Sequence, residues 1–217
     1  MKFGFYPHMA ADSIRKNKRL YFPYILTCIC LTAMYYIIVF LATSDEMLDS
    51  MLGGGSANAL LSLGSYVIVI FSLIFIFYTN SFLVRRRKKE FGLYNILGMG
   101  KRNIALIFLW ETFFIALISI VLGLAFGVLM SKLFELLLVN IMGGAVNYSF
   151  HISFPAILLT FAFYSAIFLL VLTVNLIEIA KSKPSDLIKS ESYGEKPPKA
   201  NWIFGLAGIV ILGGAYY

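Results

Sequence analysis

RRRKKEFGLYNILGMGKR, residues Arg85 to Arg102, decides how the rest of the chain is read. The stretch lies between two long apolar runs. It holds seven of the 18 basic residues (Arg85, Arg86, Arg87, Lys88, Lys89, Lys101 and Arg102) against a single acid, Glu90. Five consecutive cations at the end of an apolar run mark the cytoplasmic side of a membrane helix. The segment that follows, with Phe91, Leu93, Tyr94, Ile96, Leu97 and Met99, is too apolar for a solvated linker. It is also too short for a span, which takes about 20 apolar residues. Gly98 and Gly100 supply a helix stop. The pattern predicts a short helix over residues 89–98, lying along the cytoplasmic face with one side on the bilayer or core and the other open to a partner. The plain alternative is a topology anchor with a kinked end.

The surrounding composition sets the class. Hydrophobic residues make up 60% of the chain and charged residues 13%, against about 25% charged in a soluble domain. The apolar residues come in blocks, so the fold class is all-α: a polytopic membrane helix bundle with four full spans and the start of a fifth. The net charge of +7 sits in membrane-flanking loops and reports topology, with no nucleic-acid footprint. Cys28 and Cys30 lie in the first apolar run, about 200° apart on a helix, and cannot bridge. The first apolar run is too long for a cleavable signal peptide and lacks a small-residue cleavage site.

Residues 1–20 form a basic cytoplasmic segment, in which Asp12 and Ser13 are placed to cap a short helix at the membrane surface. The first span covers about 21–42, with Tyr21, Phe22 and Tyr24 as an interfacial belt and Pro23 in the first turn. Residues 43–58 hold three acids and no lysine or arginine, as an outer loop should, and Gly53 to Gly55 read as a flexible turn. The second span covers about 59–84 and the third 104–130. The third carries Ser119, Gly123, Gly127 and Ser131, small residues every fourth position, which form a groove for close helix approach. Intrachain packing is the favoured use of that groove; a sliding or dimer face is the alternative. Lys132 and Glu135, one turn apart, are expected to pair at the outer surface.

Residues 136–152 read as a half-buried outer loop containing Asn147 and His151; His151 has no partner at metal-ligand spacing. The fourth span covers about 154–177, with Pro155 in its first turn and Asn175 near its inner end. Residues 178–201 form a cytoplasmic connector, and 202–217 begin a fifth span. The whole arrangement, with 21–177 as one transmembrane domain, is expected to be the N-terminal part of a longer protein. Basic residues number five in 1–20, seven in 85–102 and five in 178–200, so 17 of 18 lie on one side and the N-terminus is cytoplasmic.

No phosphate-binding loop, zinc-protease or nucleophile-elbow motif occurs, and no paired carboxylates lie within the spans. The acid set well inside a span is Glu111, about 12 Å from the cytoplasmic end of the third. Intramembrane acids are candidates for function. The expectation is that Glu111 faces the bundle interior and accepts from Asn80 or from the basic cluster. Catalysis by this chain is not expected.

The central stretch resembles the cytoplasmic coupling segment of FtsX-like ABC transporter permeases. The matching residues are Arg87, Glu90, Phe91, Gly92, Leu93, Leu97 and Gly98, then Lys101 and Ile104, then Glu111. Within that superfamily the chain is similar to the bacitracin-type, antimicrobial-peptide resistance branch, on the strength of Ser13 to Tyr21, the short first outer loop and the lysine-rich connector.

The resemblance implies a permease that exports antimicrobial peptides or releases them from lipid-linked wall precursors. It implies a separate ABC ATP-binding dimer that carries ATP and Mg, membrane lipid around the spans, and a partner sensor histidine kinase. It implies no cofactor bound by this chain. In that setting Arg87, Glu90, Phe91, Gly92, Tyr94, Leu97 and Gly98 couple to the ATPase, with Phe91, Tyr94 and Leu97 as the anchor and Glu90 paired to the ATPase or to Arg87. A regulator that signals to a wall hydrolase or kinase without moving substrate uses the same segment. A stand-alone carrier requires polar-lined spans or broken helices, which the sequence lacks.

Overall fold

A computed structural model describes residues 5–50, 53–96, 98–143 and 152–181. Within that range the side chains of Phe91 and Gly92 lie outside the described residues, as do Leu97, Asn147, His151, the connector beyond 181 and the fifth apolar run. The described chain contains helices and turns. A short helix α1 (Phe5–Lys16) precedes α2 (Lys18–Ala42). One turn of helix, α3 (Asp45–Asp49), leads to α4 (Gly54–Ile96), α5 (Lys101–Met142) and α6 (Phe154–Lys181). The four long helices α2, α4, α5 and α6 are apolar and long enough to cross a membrane.

These four run alternately up and down, so the basic residues gather at one end. α2 is the central helix. It packs most extensively on α5, then on α4 and α6, whereas α4 scarcely touches α5. The middle of the bundle closes around Cys28, Leu31, Ile76, Ile115, Tyr164 and Ile167, and the outer end around Tyr36, Phe40, Leu48, Ala57 and Val139. Cys28 is buried and Cys30 exposed, as their helical spacing requires.

The four small residues of α5 are all buried, and they admit α2. A Cβ added at Gly123 would stand 2.6 Å from Thr32 Cβ and 3.0 Å from the Ile29 carbonyl. At Gly127 it would meet Tyr36 and Ala33 at 3.0–3.3 Å. The groove is thus filled from within the chain, the favoured of its two uses.

Several boundaries differ from expectation, for physical reasons. The helix expected over 89–98 is not a separate element: α4 continues without a break through the basic run to Ile96. Nothing in RRRKKEFGLYNI breaks a helix, since arginine, lysine, glutamate and leucine are good helix formers and a lone Gly92 costs only about 1 kcal/mol. The stop comes at Gly98, whose φ of 87° is left-handed, with the Met99 N–H donating to the Tyr94 carbonyl at 2.9 Å. That bond closes a Schellman motif. Gly100 does not extend the stop; it stands at the N-cap of α5.

α5 likewise runs past Met130, so Lys132 and Glu135 pair at 2.8 Å while largely buried rather than on an open surface. Asp12 and Ser13 lie inside α1 and do not cap it. Tyr21 and Tyr24 are buried, and of the expected aromatic belt Phe22 is exposed. Pro23 falls beyond the first turn because α2 begins at Lys18. Gly54 and Gly55 belong to α4, not to a flexible turn.

Gly123→Ala should therefore lower the melting temperature in detergent, with a loss of about 1–3 kcal/mol from overpacking. Gly55→Ala, where nothing lies within 4 Å of the new Cβ, should melt at or above wild type.

Candidate functional site

The buried face of α4 is one stripe: Ser72, Ile76, Asn80, Leu83, Val84 and Arg87. The recurrence every three or four residues is that of a helix face. Because α4 continues unbroken through the basic run, the stripe extends into that run and turns Arg87 inward. Arg85 and Arg86 point outward and are exposed. Arg87 is 1% exposed, and burial of an ionised group demands partners.

The partners come from four segments. Arg87 Nη1 donates to Glu111 Oε2 at 2.5 Å and also to the Tyr21 hydroxyl. Nη2 donates to Ser13 Oγ at 2.6 Å, and Nε to Glu90 Oε2 at 3.1 Å. The Tyr21 hydroxyl donates to Glu111 Oε2 at 3.0 Å. The guanidinium also lies over the rings of Tyr21 and Phe108, 5.4 and 5.8 Å from their centroids. Glu90 in turn accepts from Asn17 Nδ2 at 3.0 Å. One arginine thus ties α4 to α1, α2 and α5, with Glu111 supplying the buried countercharge. Glu111 accepts from the basic cluster, as expected, but not from Asn80, which is paired with Asn175 on α6 at 2.7 Å.

The basic end carries two further ties. Tyr6 donates to Asn103 Oδ1 at 3.0 Å, holding α1 on the start of α5. Lys101 Nζ donates to the Ala180 carbonyl at 2.9 Å, satisfying one of the last carbonyls of α6.

The residues expected to face a partner are divided by this geometry. Arg87 is enclosed. Glu90 is partly exposed and bonded to Arg87. Tyr94 is half-buried, packed on the cluster formed by Val84, Ile104, Phe108 and Ile179. Leu93, one position away, is 56% exposed, and Gly98 is exposed at the helix end. The sequence reading missed Ser13, Asn17 and Tyr21 as members of the site. The missed signal was the unbroken α4 stripe, which projects Arg87 to the depth of Glu111.

The comparisons with known proteins agree with this architecture. The family model described as FtsX-like permease C-terminal matches residues 62–184. An uncharacterized ABC transporter permease, YvcS of Bacillus subtilis (strain 168), is 31% identical over 211 residues, covering 96% of this chain and 32% of that protein. The bacitracin export permease protein BceB of the same organism is 29% identical over 209 residues, covering 94% and 32%. BceB of Halalkalibacterium halodurans is 25% identical over 214 residues, covering 97% and 33%. The chain spans about a third of the length of the curated relatives it matches.

Arg87→Met or Glu111→Leu alone should destabilise by about 3–5 kcal/mol, since each strands a buried charge. The Arg87→Met, Glu111→Leu double variant should lose clearly less than the sum of the two, measured by thermal melting in detergent as a double-mutant cycle.

Proposed function

Because the chain belongs to the FtsX-like permease family, we propose that it supplies membrane helices of an ABC transporter permease driven by a separate ATP-binding dimer. The observation that carries the reading is the continuity of α4. At 43 residues it is roughly 65 Å long, about twice the hydrocarbon thickness of a bilayer. A single helix with no break between its outer end and its projecting basic end transmits a push along its axis. Arg87 fastens this lever to α1, α2 and α5, so displacement of the projecting turns is passed to the bundle. Leu93 presents an exposed apolar contact there, beside the rest of the Glu90 to Gly98 segment. Tyr94 serves the lever from the other side, packing it back on the bundle.

The cargo on this reading is an antimicrobial peptide, exported or released from a lipid-linked wall precursor. Support comes from the two relatives whose names are bacitracin export permease. The protein resides in the plasma membrane with its basic end, and so its N-terminus, in the cytoplasm. That orientation rests on the one-sided distribution of lysine and arginine.

The ATPase contact is tested by purifying the native gene product from its host in mild detergent. Leu93→Asp should lose the co-purifying ATP-binding subunit with little change in melting temperature, as expected of an exposed position. Tyr94→Ala should lower the melting temperature. Retention of a stoichiometric ATPase by Leu93→Asp would exclude the contact. Orientation is tested with a membrane-impermeant thiol reagent in a Cys30→Ala background. Ser50→Cys should react in intact cells, and Arg86→Cys only after permeabilisation.

A further inference from the structure

We infer that a small cavity beside Glu111 is a binding site for one water molecule, which joins the Arg87 network to the Asn80–Asn175 pair. The cavity lies between α2, α4, α5 and α6, with Glu111, Thr112, Asn80, Asn175 and Tyr24 among its walls. Its volume is ≈ 10 Å³, about what one water requires and too little for an organic ligand.

The chemistry of the walls selects the occupant. Glu111 is 2% exposed, and Arg87 and Tyr21 both donate to its Oε2. Its other oxygen, Oε1, is buried and takes no hydrogen bond from the described residues. A buried carboxylate oxygen is rarely left in that condition, because its lost hydration is not replaced. Across the cavity, Asn80 and Asn175 exchange hydrogen bonds of 2.7 and 3.2 Å. That reciprocal pair uses one N–H and one lone pair of each amide and leaves one of each over. A water in the cavity donates to Glu111 Oε1 and bonds to the spare amide groups, giving it the two to four polar partners that a buried water needs.

A small cation fits less well. The guanidinium of Arg87 already sits on the same carboxylate, so a second positive charge there is repelled. With the water in place, one polar path runs from Ser13 through Arg87, Tyr21, Glu111 and the Asn pair, touching α1, α2, α4, α5 and α6. The inference does not depend on the ATPase or on the cargo.

The test is a cryo-electron microscopy structure of the full-length permease in lipid nanodiscs, at a resolution that shows ordered waters. It is made once in sodium chloride and once in choline chloride. The expected result is a single peak within hydrogen-bond distance of Glu111 Oε1 and of an Asn80 or Asn175 amide, present in both salts. A peak seen in sodium and lost in choline makes the occupant a cation and overturns the inference. Absence of a peak in both salts overturns it as well.

Discussion

The pairing of Arg87 with Glu111 is the constraint from which the arrangement at the basic end follows. Moving an ionised arginine out of water costs several kcal/mol, and one carboxylate rarely does more than offset that cost. The guanidinium is accommodated because its donors meet four acceptors, on Glu111, Tyr21, Ser13 and Glu90, in the directions its planar fork allows. Such a set exists at only one rotation and one depth of α4. The contribution of the network is therefore positional more than stabilising. It matters most for α4, which has little direct contact with α5 along its length. The ion pair joins these two helices at the basic end, beside the small cluster of Val84, Ile104, Phe108 and Ile179.

The apolar blocks, their lengths and the one-sided cations were legible in the sequence, because spanning a bilayer constrains composition over about 20 residues at a time. The use of Gly123 and Gly127 was legible too, since small residues at a spacing of four leave few alternatives to close helix packing. Helix ends were less so. The run from Arg85 to Lys89 marks where a helix leaves the membrane, but charge sets where a helix meets water and does not end it. Glycine with positive φ ends it, at Gly98. Ending it at the charges hides the inward projection of Arg87 and with it the roles of Ser13, Asn17 and Tyr21. Long-range partners from three other helices cannot be read from local pattern. The stripe Ser72, Ile76, Asn80, Val84, Arg87 was nonetheless present in the sequence for a helix assumed to continue.

The proposed function draws on the same geometry. A permease moved by an external ATPase needs a stiff element that reaches beyond the membrane and a joint that prevents the element from sliding past its neighbours. α4 has the length, and the Arg87 network has the directional bonds. Tyr94 and Lys101 add support at the basic end, the first by packing on the cluster that holds Phe108 and Ile104, the second by holding the end of α6. Leu93 remains exposed on the outer side of the lever.

The most direct measurement is the distance between spin labels placed at Leu60 and Leu93, both exposed on α4, in the full-length permease with its native partners. The 33 intervening steps of an unbroken helix give roughly 50 Å at ~1.5 Å per residue. A single narrow distribution near that distance, the same with and without ATP, is the predicted result. A shorter or second distance, showing that residues beyond Arg87 fold back as a separate helix, would contradict the rigid lever and the joint that holds it.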